Sequence, residues 1–390
     1  MSASPLPAGR RVAIVHEWFI GHAGSERVVD QLLAVFPEAD LFALVCAIPG
    51  EVPERYRGRR VRTSFLQRLT GGREGFRSLL PIFPEAMESF NLRGYDLVIS
   101  SSHCVAKGAR TRRPDQLHIT YCHTPVRYAW DLQESYLAES GFGVMKRAAA
   151  RVGLARLRRW DRRTCDRTDL YITNSHFVAD RVARYYGRSS IVVPPPVDTE
   201  TFRPIVGARR GFISVSRFVP YKRIPLIVEA FRQMPDLELT VVGDGPDRAR
   251  CHEAARGAAN IRFLGHAPIG ELPRLLSGAQ AFLFAALEDF GIAPLEAQAC
   301  GTPVIAYGAG GALETVIDGE TGSFFEAQTP DAIVAAVRRF LAAAPPSETA
   351  CRRQAERFAI PAFQSTIREV IARAWHDRPT PDTTRYAGGA

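Results

Sequence analysis

Short apolar runs alternate with amphipathic segments along most of the chain. The run RRVAIVHEW (10–18) precedes a glycine-containing turn and then the helical pattern RVVDQLLAVF (27–36). Similar runs recur through the first half, and a second series begins at GFISVSR (211–217). Strands that alternate with helices are typical of a parallel sheet covered on both faces. The pattern therefore predicts an α/β fold.

Three consecutive prolines interrupt this pattern near the middle of the chain. They lie in IVVPPPVDTETF (191–202), and proline continues neither a helix nor a central strand. We predict two doubly wound domains, residues 1–200 and 201–375, and a disordered tail at 376–390. The last amphipathic pattern, FQSTIREVIARAW (363–375), fits a helix on either domain. Ligands of such sheets bind beyond the carboxyl ends of the strands, so we expect a site in the cleft between the domains.

The composition is that of a globular protein with a positive net charge. The chain has 390 residues and a net charge of +9, which indicates an anionic partner: nucleic acid, a membrane surface or a phosphorylated ligand. Its seven cysteines form no Cys-x-x-Cys pair, which argues against a disulfide scaffold or a zinc site. The N-terminus has no signal-peptide pattern and no apolar stretch is of transmembrane length, so we expect a cytoplasmic protein.

Two glutamates flank a Phe-Gly pair in LEDFGIAPLEAQACG (287–301). We interpret Pro294 as the first residue of a helix, since its missing N–H costs nothing there. Glu288 then lies in the loop before the helix and Glu296 in the first turn, near free backbone N–H groups that favour anions. Two acids beside a row of N–H donors are suited to a polyhydroxylated, negatively charged ligand.

A basic pair follows the first predicted strand of the second domain. In VSRFVPYKR, Arg217 supplies a bidentate guanidinium and Lys222 a point charge, a combination suited to a diphosphate. Solvated surface charge is the alternative interpretation. We favour function because both residues lie at the carboxyl end of a strand.

The first domain offers two further candidate segments at predicted strand ends. In GHAGSE, backbone N–H groups would face a ligand at Gly21, Gly24 and Ser25, although the full G-x-G-x-x-G pattern is absent and a plain tight turn stays open. The segment YCHTPVRYAWD supplies three candidate substrate contacts: His123, Arg127 and Tyr128. No Ser-His-Asp order, Walker lysine or metal-ligand spacing supports a hydrolase, an NTPase or a metalloenzyme.

Basic residues are dense in two segments of the first domain, 55–68 and 144–167. The second segment has helical character with apolar residues interleaved. A solvated helix face is the default interpretation. A face that rests on anionic lipid is the alternative.

Several segments together resemble the family-4 retaining glycosyltransferases of the GT-B fold. EDFGIAPLEAQACGTPVIA is similar to the family's Glu-x7-Glu signature, VSRFVPYKRIPLIVEAF to its Arg-x4-Lys element, and VVGDGPDRARC to its glycine-rich turn. IRFLGHAPIGELPRLLSGA resembles the nucleotide-base region, and the likeness extends to about residue 345. It implies two doubly wound Rossmann-like domains that face each other across a cleft, the N-terminal one binding the acceptor and the C-terminal one the nucleotide sugar.

The resemblance also implies roles for the candidate residues. The first acid would bind hydroxyls of the donor sugar, and the second would bind the nucleotide ribose. The cationic pair would bind the diphosphate, and the histidine would lie near the transferred sugar. The implied catalytic residues are Arg217, Lys222, Glu288 and His123. The implied donor contacts are Phe290, Gly291, Glu296, Gly21 and Gly24. The acceptor-side candidates are Ser25, Arg127 and Tyr128.

The substrates are suggested by two first-domain segments. VHEWFIGHAGSERVV and CHTPVRYAWD resemble a branch that builds bacterial O-antigens and exopolysaccharides, mannosyltransferases among them. GDP-mannose is therefore the first expected donor and a UDP-sugar the alternative. The expected acceptor is a lipid-diphosphate-linked oligosaccharide at the inner face of the plasma membrane, where the protein would bind peripherally. Because the chain lacks the Asp-x-Asp motif, we expect no metal ion and no other cofactor.

Two other functions remain open from the sequence. A GT-B sugar-nucleotide epimerase or hydrolase would use the same nucleotide site without an acceptor. A basic nucleic-acid-binding protein is a different class, and the chain has neither an aromatic-basic RNA motif nor a recognition-helix pattern, so we expect no nucleic-acid partner. One segment departs from the family pattern: PPPVD stands where many members have Asn-Gly-Val-Asp, which leaves the hinge and one donor contact open.

Overall fold

The structure of the chain is a computed structural model. The structure describes the following residues: 5–21, 24–47, 56, 59–70, 75–111, 113, 115–131, 133–134, 137 and 143–378. The predicted tail at 376–390 falls outside these ranges from residue 379 onward.

The chain divides into two compact units. One unit comprises residues 1–195 together with 363–390, and the other comprises residues 196–362. The division after Pro195 falls within the proline run, a few residues before the predicted boundary at 200. The chain returns to the first unit at Phe363, so the last amphipathic segment belongs to that unit rather than to residues 201–375.

The first unit contains a seven-stranded sheet within the described ranges, in the order β3-β2-β1-β4-β5-β6-β7, and its neighbouring strands are parallel. The strands are β1 Val12–Phe19, β2 Asp40–Cys46, β3 Val61–Thr63, β4 Leu97–Ser102, β5 Leu117–Cys122, β6 Leu170–Thr173 and β7 Ser190–Val192. The helices before the proline run are α1 Gly24–Val35, α2 Leu66–Thr70, α3 Phe83–Glu88, α4 Val144–Arg163 and α5 His176–Tyr186.

The second unit contains a six-stranded sheet, again with parallel neighbours, in the order β10-β9-β8-β11-β12-β13. Its strands are β8 Phe212–Val215, β9 Leu239–Val242, β10 Ile261–Gly265, β11 Ala281–Phe284, β12 Val304–Tyr307 and β13 Gly322–Phe325. Its helices are α6 Ile224–Arg232, α7 Arg248–Ala255, α8 Leu272–Ser277, α9 Ile292–Ala299, α10 Ala312–Thr315, α11 Pro330–Ala342 and α12 Glu348–Glu356. The final helix, α13 Ile360–His376, leads back into the first unit.

Each sheet buries both of its faces, as near-continuous apolar strands predict. In β1, Ile14 packs into one apolar cluster, whereas Ala13 and Val15 pack into another on the opposite face. In the second unit, Leu283 and its neighbour Phe282 likewise belong to different clusters. Both units are therefore three-layer α/β structures, and the predicted fold class is confirmed.

Helix α13 completes the core of the first unit. Its residues Phe363, Ile367, Ile371 and Trp375 are buried in the same cluster as Ile14. Their spacing of four places them on one side of the helix. Burying a side chain of this size contributes about 1.5–3 kcal/mol, so the helix is an integral part of the unit.

A buried ion pair fixes α4 to the first sheet. Lys107 Nζ lies 3.0 Å from Asp161 Oδ1, and both side chains are buried. Trp130 Nε1 and Tyr186 Oη each donate to Asp161 Oδ2 over 2.9 Å. Because every one of these groups has a partner, the charges are tolerated inside the unit and hold α4 against the segment that follows β5.

In both sheets the strand order reverses at one point. The reversal lies between β1 and β4 in the first unit and between β8 and β11 in the second. In open parallel sheets the crevice at such a point, beyond the carboxyl ends of the strands, is where ligands bind. The predicted glycine turn follows β1, the cationic pair follows β8 and the two acids follow β11, whereas His123, Arg127 and Tyr128 follow β5.

Candidate active site

The predicted cationic pair lies in the loop after β8. Arg217 is exposed and stands two residues beyond the strand, and Lys222 ends a short 3-10 helix, Pro220–Lys222. The glycine-rich turn after β9 supports this loop, because Phe218 donates its backbone N–H to the Asp244 carbonyl over 2.9 Å. A Cβ at Gly243 would overlap the carbonyl oxygen of Ser216, so only glycine permits this close approach.

The acid-bearing loop after β11 leads into α9. Gly291 caps the helix with a φ of 91°, and the helix begins at Ile292. The prediction that Pro294 is the first helical residue is therefore wrong by two positions. Proline is still tolerated there because the first four N–H groups of a helix have no intrahelical partner. Glu296 consequently lies beyond the first turn and is 8% exposed.

A second glycine turn, at 310–311, holds the acid-bearing loop in place. The backbone N–H of Gly311 donates to the carbonyl of Glu288 over 2.9 Å, and a Cβ at Gly311 would overlap the backbone of Phe290. Phe290 itself is buried in the apolar cluster of this face. This turn was absent from the sequence-based prediction of the site, although the run YGAGG at the end of the apolar strand β12 indicates a turn there.

Lys222 and Glu288 meet at the point where the strand order reverses. Lys222 Nζ contacts Glu288 Oε1, and the two side chains are 17% and 14% exposed. The structure thus pairs the predicted phosphate-binding cation with the predicted sugar-binding acid. Arg217 has no ion-pair partner among the described residues, so its guanidinium is available to an anion.

A buried carboxylate, Glu17, organises the corresponding edge of the first unit. Its Oε1 accepts from the backbone N–H groups of His103 (3.0 Å), Cys104 (2.8 Å) and Ala106 (3.0 Å) and from Ser102 Oγ (3.2 Å). Oε2 lies 3.0 Å from His103 Nδ1. Burial alone would raise the pKa of Glu17, but nearby His103 and His16 and the backbone donors hold the pKa well below its usual range.

Replacement of Glu17 should therefore destabilise the protein. We expect Glu17→Ala to lower the free energy of unfolding by roughly 3–5 kcal/mol, because several buried donors lose their charged acceptor. Urea unfolding at pH 7 measures this. Glu85→Ala, which removes an exposed carboxylate from α3, is the matched control and should change stability by no more than about 0.5 kcal/mol.

The pH dependence gives a second readout for the same residue. A carboxyl whose pKa is lower in the folded than in the unfolded state stabilises the fold above the unfolded value, near 4.5. That contribution is lost as the pH falls. The stability difference between wild type and Glu17→Gln should therefore shrink below pH ~4.5. A difference that stays constant down to pH 3 would contradict the assignment.

Around Glu17 lie further polar groups that the sequence analysis did not identify. His16 is fully buried, with Nδ1 3.0 Å from the Ser101 carbonyl oxygen and Nε2 3.7 Å from Glu26 Oε1. Burial would lower the pKa of His16, but the carboxylates Glu26 and Glu17 raise it above its ordinary value. The signal for this cluster was weak, since its members are charged residues inside apolar strands or far apart in the chain.

The predicted His123 lies directly beside this cluster. It follows β5, and its Nε2 is 2.9 Å from Ser101 Oγ. Burial, together with the electrostatic influence of the neighbouring His103 and His16, lowers the pKa of His123 to about 3. His123 is therefore neutral across the physiological pH range.

Three side chains of the cluster, His16, Glu17 and His103, bring possible metal-ligand atoms within 4.8 Å of one another. However, His16 Nδ1 lies 3.0 Å from the Ser101 carbonyl oxygen, and a ring nitrogen in that position must carry a proton. That proton leaves Nε2, which lies 3.7 Å from Glu26 Oε1, as the one ring nitrogen of His16 with a lone pair for a metal ion. We assign no metal ion to this cluster.

The other first-unit candidates have simpler surroundings. Gly21 follows β1 in open space, and Gly24 begins α1, while the two residues between them fall outside the described ranges. Ser25 Oγ donates to Glu26 Oε2 over 2.9 Å, which connects Ser25 to the His16 cluster. Arg127 begins a 3-10 helix, and Tyr128 Oη lies 2.7 Å from Cys104 Sγ.

Known proteins share both units of this chain. Residues 22–201 match the family model described as Glycosyltransferase Family 4, and residues 199–358 match the one described as Glycosyl transferases group 1. Among curated relatives, a GDP-mannose-dependent alpha-(1-6)-phosphatidylinositol monomannoside mannosyltransferase of Mycolicibacterium smegmatis is 33% identical over 210 residues. That alignment covers 46% of this chain and 55% of the relative, so the chain spans about half the length of this mannosyltransferase.

Longer but weaker similarities cover most of the chain. A D-inositol 3-phosphate glycosyltransferase of Corynebacterium urealyticum is 27% identical over 363 residues, 82% of this chain and 83% of the relative. Among solved structures, sucrose-phosphate synthase from Thermosynechococcus elongatus has a TM-score of 0.73 at 21% identity, covering 95% of this chain and all of that one. Anabaena HepE, solved with UDP-glucose, has a TM-score of 0.68 at 17% identity over 93% of this chain and 99% of its own.

The structural similarities show the fold, and the family models show the kinship. The two models adjoin each other and together run from residue 22 to residue 358. The resemblance inferred from the sequence motifs is thereby confirmed, and the protein belongs to the family-4 glycosyltransferases with the GT-B fold.

Proposed function

We propose that the protein is a retaining glycosyltransferase that takes mannose from GDP-mannose. The observation that carries the proposal is the pairing of Lys222 with Glu288 at the β8–β11 reversal, with the exposed Arg217 on the same loop as Lys222. A cation and an acid fixed together at a ligand-binding edge suit a ligand that has both phosphates and sugar hydroxyls. The similarity to a GDP-mannose-dependent relative supports the choice of donor.

In the proposed reaction these side chains have separate roles. When the sugar–phosphate bond breaks, negative charge develops on the nucleotide diphosphate, and Arg217 and Lys222 would stabilise it. Fixed charges of this kind lower the barrier because they bind the transition state more tightly than the ground state. Glu288 would orient the sugar hydroxyls and Glu296 the ribose. Because the two cations supply positive charge themselves, the proposal includes no metal ion.

The proposed acceptor is a lipid-linked saccharide, reached at an anionic membrane surface. No helix within the described residues is long and apolar enough to cross a membrane. The named substrate of the Mycolicibacterium relative is a glycosylated phosphatidylinositol, which supports a lipid acceptor for this chain. A lipid-diphosphate-linked oligosaccharide remains our specific proposal, made from the resemblance to polysaccharide-building enzymes.

Helix α4 supplies a surface suited to such a membrane. Met145 and Val152 are 87% and 63% exposed. Arg156, Arg159 and Arg163 follow at helical spacing on the same face and line a groove of about 430 Å³. Exposed apolar side chains next to arginines are typical of helices that lie at a membrane surface. The face opposite, with Leu154 and Leu157, is buried and holds α4 on the unit.

Two other arginines of α4 make contacts within the protein and are left out of the proposed lipid-binding surface. Arg158 is not among them, since its Nε donates to the Ala129 carbonyl over 2.6 Å and its guanidinium stacks on Trp130. Arg151 pairs with Glu134 over 2.8 Å. A variant that tests lipid binding should therefore spare both residues.

Calorimetric titration and a transfer assay test the proposed function. We expect GDP to bind more tightly than UDP, and GDP-mannose to be consumed only when a glycolipid acceptor is present. Tighter binding of UDP would favour the UDP-sugar alternative. Nucleotide release that does not depend on acceptor would indicate an epimerase or a hydrolase. Salt-dependent DNA binding without affinity for any nucleotide sugar would overturn the proposal.

The membrane surface leads to a prediction about charge. Replacing Arg156, Arg159 and Arg163 by Gln, together with the exposed Lys146 in the first turn of α4, should weaken binding to vesicles that contain anionic phospholipid, by about 1 kcal/mol or roughly fivefold per charge near the surface. Vesicle co-sedimentation measures the effect. Transfer to a water-soluble acceptor analogue should persist, because α4 carries none of the proposed catalytic residues.

The control removes the same number of charges elsewhere. It replaces four exposed arginines that have no ion pair among the described residues: Arg184, Arg203, Arg210 and Arg274. If both variants lose vesicle binding equally, net charge rather than the α4 surface is responsible. If neither loses binding, α4 is a solvated helix face.

A further inference from the structure

The environment of His123 determines which of its ring nitrogens carries the proton. His123 Nε2 lies 2.9 Å from Ser101 Oγ. For Nδ1, the described residues provide no hydrogen-bond partner. A neutral imidazole has one N–H donor and one acceptor nitrogen, so the direction of the Ser101 hydrogen bond fixes the tautomer.

The direction of the Ser101 hydrogen bond is determined by His16. Its Nδ1 lies 3.0 Å from the Ser101 carbonyl oxygen, which can only accept, so Nδ1 carries a proton. The same N–H is 3.1 Å from Ser101 Oγ. The lone-pair side of this hydroxyl therefore faces His16, and the hydroxyl hydrogen must point elsewhere.

The described residues offer the Ser101 hydroxyl one other partner, His123 Nε2. The hydroxyl accordingly donates to that nitrogen, which accepts with its lone pair. We propose that His16 and Ser101 are positioning residues that hold His123 as its Nδ1–H tautomer and present this N–H to an oxygen of the sugar substrate. His123 then acts as a hydrogen-bond donor and not as a general base, because its lone pair is occupied by Ser101.

Two acids hold His16 in this orientation. Glu26 Oε1 lies 3.7 Å from Nε2 of His16, and Glu17 Oε2 lies 3.8 Å from Nδ1. The third titratable group facing His16 is His103, whose ring centroid is 5.6 Å away. Burial would lower the pKa of His16, but the two carboxylates raise it above its ordinary value, and in either protonation state a proton on Nδ1 faces the Ser101 carbonyl. Glu26 thus influences the tautomer of His123 through His16 and Ser101.

The chain provides a matched control on the same strand. Ser100 is also buried in β4, but its hydroxyl binds His118 Nε2 over 2.8 Å and the Ala106 carbonyl over 2.9 Å. Ser100→Ala and Ser101→Ala therefore remove equivalent atoms from adjacent positions, and only the second should affect His123.

The test uses the full-length protein labelled with ¹⁵N in its histidine side chains, without ligand. Long-range ¹H–¹⁵N spectra distinguish protonated from unprotonated ring nitrogens, and His123→Gln assigns the signals. We expect wild-type His123 to show a protonated Nδ1 and an unprotonated Nε2. Ser101→Ala should shift His123 toward a mixture of tautomers, whereas Ser100→Ala should leave it unchanged. A proton on Nε2 in wild type, or no response to Ser101→Ala, would overturn the proposal.

Steady-state kinetics test the role of Ser101 and His123 in sugar transfer. This part of the inference rests on the proposed function. We expect Ser101→Ala to lower kcat about tenfold with little change in KM for the donor, as loss of one orienting hydrogen bond would. Ser101→Thr, which keeps the hydroxyl, should restore most of the rate. If kcat is unchanged while the tautomer shifts, the assignment of His123 as donor to substrate is wrong. If no transfer occurs in wild type, the proposed function fails, but the spectra still decide the tautomer.

Discussion

Arg217→Ala and Lys222→Ala should each lower kcat by ~10²–10³-fold, the effect expected when one fixed donor to a developing negative charge is removed. Donor KM should change less than kcat, since the interaction is strongest in the transition state. Arg217 is exposed and has no ion pair among the described residues, so its loss should leave the free energy of unfolding nearly unchanged. Lys222→Ala also leaves Glu288 without its cation, so thermal unfolding of both variants should accompany the kinetics.

The comparison for these variants is Arg203→Ala, which removes an exposed arginine of the second unit away from the β8 loop. Its kcat should stay within about twofold of wild type. Chelator treatment tests the proposed absence of a metal ion. We expect activity to persist in EDTA, and added magnesium or manganese should rescue neither variant. Activity that is lost in EDTA and restored by a divalent ion would mean that a metal neutralises the diphosphate.

Glu288→Gln and Glu296→Gln should separate sugar recognition from nucleotide recognition. If Glu288 binds the sugar, Glu288→Gln should strongly reduce the rate of sugar transfer yet leave the affinity for free GDP nearly unchanged. If Glu296 binds the ribose, Glu296→Gln should weaken GDP and GDP-mannose alike. Charged hydrogen bonds contribute about 1.5–3 kcal/mol, which corresponds to roughly 10–150-fold in affinity or rate. Calorimetry with GDP and steady-state kinetics measure the two effects.

The ion pair adds a test of how Glu288 and Lys222 cooperate. If they act as one unit, the double variant Lys222→Ala with Glu288→Gln should lose much less activity than the product of the single losses. Glu326→Gln, an exposed glutamate after β13, is the neutral comparison. Equal losses of GDP affinity in Glu288→Gln and Glu296→Gln would contradict the assigned roles.

The part of the site that could be predicted from sequence is the part governed by local pattern. Apolar runs and the turns after them locate strand ends, and at such ends the sequence analysis predicted Arg217, Lys222 and Glu288. Parallel strands bring their carboxyl ends to one edge, which is why Lys222 and Glu288, distant in the chain, meet there. The resemblance to the family motifs then indicated the chemical roles of these residues.

The remaining features depend on long-range pairing, which local pattern does not encode. Glu17 sits within an apolar strand, and its partners lie 85 to 89 residues further along the chain. Nothing near Glu17 in sequence distinguishes a buried carboxylate with four donors from a solvent-facing one. The start of α9 was misplaced for a local reason, because Gly291 and Pro294 both mark helix beginnings and only the backbone conformation decides between them.

The return of α13 to the first unit has a consequence for the order of events during synthesis. Residues 196–362 separate this helix from the rest of its unit, and at about 5–20 residues per second they take roughly 8–30 s to translate. Throughout that time the first sheet lacks the four apolar side chains that α13 contributes to its core. The second unit is contiguous and has all of its own residues before Phe363, the first buried side chain of α13, is added. The amino-terminal unit, although made first, therefore cannot complete its core until α13 has been synthesised.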